Sequence, residues 1–130
     1  MRAKSFSGLL AVSVLLAAIP VFAHHSVVAE FDQAKEAVVK GTLTKVLWSN
    51  PHVYFYMVAP DASGKQVEYR FQSGTPLNFH KAGVKKEDFQ VGDTVTVTYS
   101  PSKDGTMTYG WMKMIKYSDG HVFVYRVGSE

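Results

Sequence analysis

The chain is 130 residues long, with 14 basic and 11 acidic side chains, five histidines and no cysteine. That length predicts one domain, small yet able to bury a core without covalent staples, and the missing cysteine excludes disulfides and a lipid-bearing cysteine, which suits an exported bacterial protein. The basic excess does not point to nucleic acid: Arg2 and Lys4 belong to a leader, and the 107 residues after position 23 carry 12 basic against 11 acidic groups, without the positive field that nucleic-acid binding requires.

Residues 1–23 read as a cleaved signal peptide. Arg2 and Lys4 supply its charge, "LLAVSVLLAAIPV" from Leu9 to Val21 its apolar stretch, and Val21 and Ala23 the −3 and −1 positions of a cleavage site. The apolar run covers thirteen residues and Pro20 interrupts it, short of the roughly 20 needed to span a bilayer. The expected mature end is His24, in the periplasm or outside the cell, with no stable membrane anchor after processing.

Residues 24–36 form an N-terminal segment that carries the histidines, and 37–130 the domain proper. "AVVKGTLTKVLW" alternates through Val39, Gly41 and Leu43 and resumes out of phase at Val46 and Trp48. That slip predicts a β-bulge beside Gly41 in a long, bent first strand. "SNP" turns the chain into "HVYFYMVA", a strand apolar on both faces. "KQVEYRFQ" is the cleanest half-buried strand, with Val67, Tyr69 and Phe71 on one face. Thr75 and Pro76 then open a short helix that Gly83 stops, and a second turn is expected at Lys86 to Phe89. "VGDTVTVTYSP" is a fourth strand, Asp104-Gly105 a hairpin turn, and "MTYGWMKMIKY" and "HVFVYRV" two more strands. Val67, Tyr69, Phe71, Val95 and Val97 are expected to be buried together. Three strands, one helix, then two or three strands predict an all-β fold, an OB-like barrel of five to six strands with a short helix between strands three and four.

"AHHSVVAEFD", "GTLTKVLWSNPHVYFYMV", "SGTPLNFHKAGVKKEDFQVGDTVTV" and "DGTMTYGWMKMI" together resemble a family of small exported bacterial proteins catalogued as a domain of unknown function. A mature-end His-His-Ser, an Asn-Pro-His after the first strand and a Gly-Asp before the fourth mark that family. The resemblance covers nearly all of the mature chain and implies an exported, β-rich, single-domain protein; it supplies no reaction.

Processing after Ala23 would free the amine of His24, and that amine and the His24 imidazole can chelate one metal ion, with a third nitrogen from a distant His. An α-amino group with a pKa of about 7.7–8.0 yields its proton to a metal near neutral pH. His25 offers a second route through the amine and the intervening amide, and a cut one residue earlier would give Ala23-His24-His25, an amino-terminal copper pattern. Nitrogen donors of this kind suit Cu(II), at the top of the divalent affinity order. Copper is therefore the expected cofactor. His52, behind Pro51 at the mouth of strand two, is the candidate third ligand; its plain alternative is an imidazole that caps the "SNP" turn. The plain alternative for the terminal pair is a chain end with no role.

His80 and His121 are weaker ligand candidates. Met112 and Met114, two apart on a strand, are expected to share a face, where thioethers suit Cu(I). Glu30 and Asp32 would share a face of an extended segment. No residue pattern supplies a nucleophile with its base, so the chain is expected not to be an enzyme. Its expected partners are a metal ion and no nucleic acid, with any protein partner unspecified. The other function class is a non-metal binding module, presenting an aromatic face drawn from Trp48, Tyr54, Tyr56, Tyr69, Tyr99, Tyr109, Trp111, Tyr117 and Tyr125 to a protein or small ligand.

Overall fold

The computed structural model describes residues 27–124. The leader, the cleavage position after Ala23, His24, His25 and the end of the final strand lie outside these residues. In chain order the elements are α1 (Val27–Glu30), β1 (Ala37–Trp48), β2 (Val53–Pro60), β3 (Gln66–Gln72), α2 (Pro76–Lys81), a 3₁₀ turn (Lys86–Asp88), β4 (Thr94–Pro101), β5 (Tyr109–Tyr117) and β6 (Val122–Val124). The strands lie in the order β3-β2-β1-β4-β5-β6, and β3 also pairs in parallel with β5. The first five strands thus close into a barrel and β6 extends the far part of β5. This is the OB connectivity, as expected.

Closure depends on β1 serving two partners. Its first half pairs with β4 and its second half with β2, so the strand must bend. The bulge falls between Leu43 and Lys45, where the register with β2 shifts, rather than beside Gly41. Gly41 does a different job. A Cβ there would meet Val58 O at 2.2 Å and Met57 Cε at 2.7 Å, so only glycine lets the strands approach this closely.

The core fills the barrel with Leu43, Phe55, Met57, Phe71, Val95, Val97, Met112 and Ile115, all nearly or fully removed from solvent. Burial of such side chains stabilises by about 1.5–3 kcal/mol each. Phe71, Val95 and Val97 are buried together as expected, but Val67 and Tyr69 are only half-buried. The reason lies in the closure: β3 meets β5 only from Arg70 to Gln72, so its first half stands at an open rim.

One end of the barrel is plugged by α2. Thr75 caps the helix, its Oγ1 accepting from Asn78 N–H at 3.1 Å, and Gly83 at φ +74 ends it. This start and stop aim the buried Phe79 at Trp48, Phe89 and Phe123, with ring centroids 5.1, 6.1 and 5.1 Å away. The 3₁₀ turn follows where a second turn was expected and delivers Phe89 against Phe55 at 4.8 Å.

Two further expectations fail. Met112 and Met114 do not share a face: β5 shifts register with β4 opposite Thr98 and Tyr99. Met112 therefore enters the core while Met114 turns outward, leaving Ile115 as the next buried residue. Val27–Glu30, ahead of β1, is not extended either; it forms α1, whose docking is described next.

Candidate functional site

The β3–β5 seam brings together residues far apart in sequence. In register, Tyr54 of β2 lies opposite Gln72 of β3, and Gln72 opposite Trp111 of β5. One step along, Arg70 lies opposite Tyr109. Strand alternation turns these side chains to the outside of the barrel, where α1 and the residues after it strap across Tyr109 and Trp111.

The strap is tied by backbone bonds. Asp32 N–H donates to Pro101 O at 2.9 Å and Lys103 N–H to Glu30 O at 3.0 Å, while the Lys103 ammonium caps Val28 O. Phe31 is fully buried, edge-on to Tyr109 with centroids 5.2 Å apart, and 6.1 Å from Trp111. An apolar ring seated under two aromatic rings fixes where the N-terminal segment lies. The helical turn over Val27–Glu30 explains why Glu30 and Asp32 do not form a pair. Glu30 Oε1 accepts from the Tyr109 hydroxyl at 2.9 Å. Asp32 instead accepts from Ala34 N–H at 3.2 Å and meets Lys35 at 3.4 Å.

A polar network runs along the seam. Gln72 Oε1 lies 2.9 Å from the Tyr109 hydroxyl and 3.2 Å from the Tyr54 hydroxyl. Burial, and then the Glu30 carboxylate, hold the Tyr109 phenol far above its ordinary pKa, so it remains a neutral donor to Glu30. Burial likewise raises Tyr54, partly offset by Arg70.

His52 stands at the edge of this network, its ring 6.3 Å from Trp111 and at 87° to it. Its imidazole does not cap the "SNP" turn; Ser49 Oγ does that, donating to His52 O at 3.1 Å. His52 Nδ1 reaches across to Ser73 O, just past β3, at 3.0 Å. A carbonyl only accepts, so Nδ1 carries a hydrogen, and this is the tautomer whose lone pair is on Nε2. Trp111 thus contacts both His52 and the Phe31 anchor of the strap.

The other candidates are elsewhere. His80 is exposed on α2. His121 sits in the β5–β6 turn, its Nδ1 on Asp119 and its ring stacked on Tyr117 at 4.3 Å. Among the described residues no group of three or more His, Asp or Glu side chains could hold a metal ion, and His24 and His25 lie outside them. Sequence reasoning missed Ser73 and Trp111 as neighbours of His52. The β2–β3 pairing brings Ser73 to it and the parallel β3–β5 pairing brings Trp111, and no local pattern announces the second.

Residues 11–125 match the model described as "Family of unknown function (DUF6152)". The chain belongs to this family. No curated protein matches the sequence. Two crystal structures of Rim1, the mitochondrial single-stranded DNA binding protein of S. cerevisiae, are similar in fold, with TM-scores of 0.46 and 0.45 at 14% and 12% identity. They cover 67% and 71% of this DUF6152 chain and 96% and 97% of their own.

Proposed function

We propose that this DUF6152 protein is exported, is processed after Ala23, and holds one copper ion through His24, His25 and His52 at the outer seam of its barrel. The observation that carries the reading is the state of His52: its Nδ1 proton is committed to Ser73 O, which orients the ring and leaves Nε2 as a donor. Metal-binding histidines are oriented in this way. The strap supports it, because Phe31 anchors the segment that follows His25 against Trp111, the same indole that meets His52. The proposed donors are all nitrogen, and they favour Cu(II) over Zn(II). The role is binding rather than turnover. Nucleic acid is not part of the reading, given the near-neutral charge after residue 23.

The test is a titration of protein beginning at His24, followed by paramagnetic resonance. One equivalent of Cu(II) is expected, bound more tightly than Zn(II) and with nitrogen coupling. Acetylating the amine, or keeping one extra residue before His24, should weaken it sharply, and His52→Ala should remove one coupled nitrogen. Affinity unchanged by acetylation and by His52→Ala would overturn the proposal.

A further inference from the structure

A second feature lies on the wall next to the seam and involves none of the histidines. The registers set Lys45 of β1 opposite Tyr56 of β2, Tyr56 opposite Arg70 of β3, and Arg70 opposite Tyr109 of β5. All four point outward, so cation and phenol alternate in a single row across four strands. Lys45 Nζ is 5.3 Å from the centre of the Tyr56 ring. Arg70 Cζ is 4.3 Å from the Tyr109 ring and 5.5 Å from that of Tyr54.

These contacts hold the cations without neutralising them. Among the described residues the ion pairs use Lys35, Lys113 and His121; neither Lys45 nor Arg70 has a carboxylate partner. A guanidinium stacked on aromatic rings keeps its N–H edge available, and that edge matches a carboxylate. The row therefore offers two oriented, unpaired cations with phenol rings between them, and the exposed Leu47 lies opposite Tyr54 in the adjacent row.

Spacing and charge select the occupant. Lys45 and Arg70 are two strand steps apart, about 9.6 Å at roughly 4.8 Å per step. A polyproline II segment rises about 3.1 Å per residue with three residues per turn, so its side chains at i and i+3 share a side about 9.3 Å apart. Such segments bind on aromatic-lined surfaces. We propose that this face docks an extended, acidic, proline-containing segment of a partner protein, with two carboxylates three residues apart on Lys45 and Arg70 and the intervening residues over Tyr56 and Tyr54. A nucleic-acid strand fits less well, because two free cations neutralise few phosphates.

The experiment uses the complete mature protein and labelled proline-rich peptides carrying Asp-Pro-Pro-Asp, with and without a chelator. A peptide of the same composition with adjacent aspartates and a twelve-residue oligo-dT serve as competitors. Binding should be indifferent to the chelator and weaken about tenfold in Arg70→Ala, as for loss of one charged hydrogen-bonding group. Arg70→Lys, which keeps the charge and loses the planar fork, should fall between, and Lys45→Ala should weaken binding with the fold intact by circular dichroism. Equal binding of the permuted peptide, no loss in Arg70→Ala, no peptide binding, or tighter binding of oligo-dT would each overturn it.

Discussion

Two regions of this barrel are built from aromatic rings, and they differ in what the rings carry. At the end under α2, Phe79, Phe89, Phe55, Phe123 and Trp48 pack mainly against one another. At the β3–β5 seam, Tyr54, Tyr109, Trp111 and His52 bring hydroxyls, an indole and an imidazole, and a carboxylate, an amide and a guanidinium meet them. Apolar contact is non-directional, so the first region can only hold the fold together. The seam instead fixes proton positions and charge, at Tyr109 towards Glu30 and at His52 towards Ser73, and leaves an imidazole nitrogen and a guanidinium edge facing outward. The lesson is that aromatic content alone does not locate function; the polar partners do.

The contrast can be broken most forcefully at the plug. Phe79→Ala removes a ring that is 1% exposed and should cost about 3–5 kcal/mol. The denaturant midpoint should fall with every probe moving together, because the core itself opens. A loss below about 1 kcal/mol would mean that the plug is dispensable.

Phe31→Ala sharpens the comparison. Phe31 is as deeply buried, yet it belongs to a strap that can leave without opening the barrel, so a smaller loss of about 2–3 kcal/mol is expected. Hydrogen exchange should rise at Asp32 N–H and Lys103 N–H, whose acceptors are Pro101 O and Glu30 O, while β1 and β4 amides stay protected. Uniform acceleration across the barrel would show that strap and core unfold as one.

The smallest effect, absent at neutral pH, comes from Tyr117, which lines a cavity with Phe89 and Phe123. Burial, then the charge of Asp93, push its phenol up to about 12. The folded value lies above the ordinary 10.0. The native state therefore keeps its proton where the unfolded chain gives it up. The stabilisation is complete below pH 10 and is lost as pH rises through about 12. Denaturation midpoints measured from pH 9 upward should decline, and Tyr117→Phe should flatten that decline.

Much of the barrel was legible in the sequence. "KQVEYRFQ" and "TVTVTY" alternate strictly because one face meets the core, and α2 announces itself through Thr75 and Pro76. His52 could be singled out because Pro51 and a turn precede it. Its surroundings could not. Trp111 reaches His52 through a parallel pairing whose partners are separated by a helix and a strand, and Arg70 reads only as an exposed charge until Tyr109 is set beside it. Met112 and Met114 misled because a period of two holds only while the ladder is regular, and β5 carries a register shift between them.

The sequence by itself determined where strands begin and end, the order that makes an OB barrel, the near-neutral charge after residue 23, and the histidines available to a metal. These follow from local periodicity, turn chemistry and composition, which need no knowledge of what lies across the sheet. Only the tertiary structure decided that Val27–Glu30 turns helical, that the bulge of β1 sits between Leu43 and Lys45 while Gly41 makes room for β2, and that His52 Nδ1–H donates to Ser73 O. Each of these depends on a contact between residues distant in the chain. Barrel closure settles such contacts by bringing particular backbones and side chains within bonding distance.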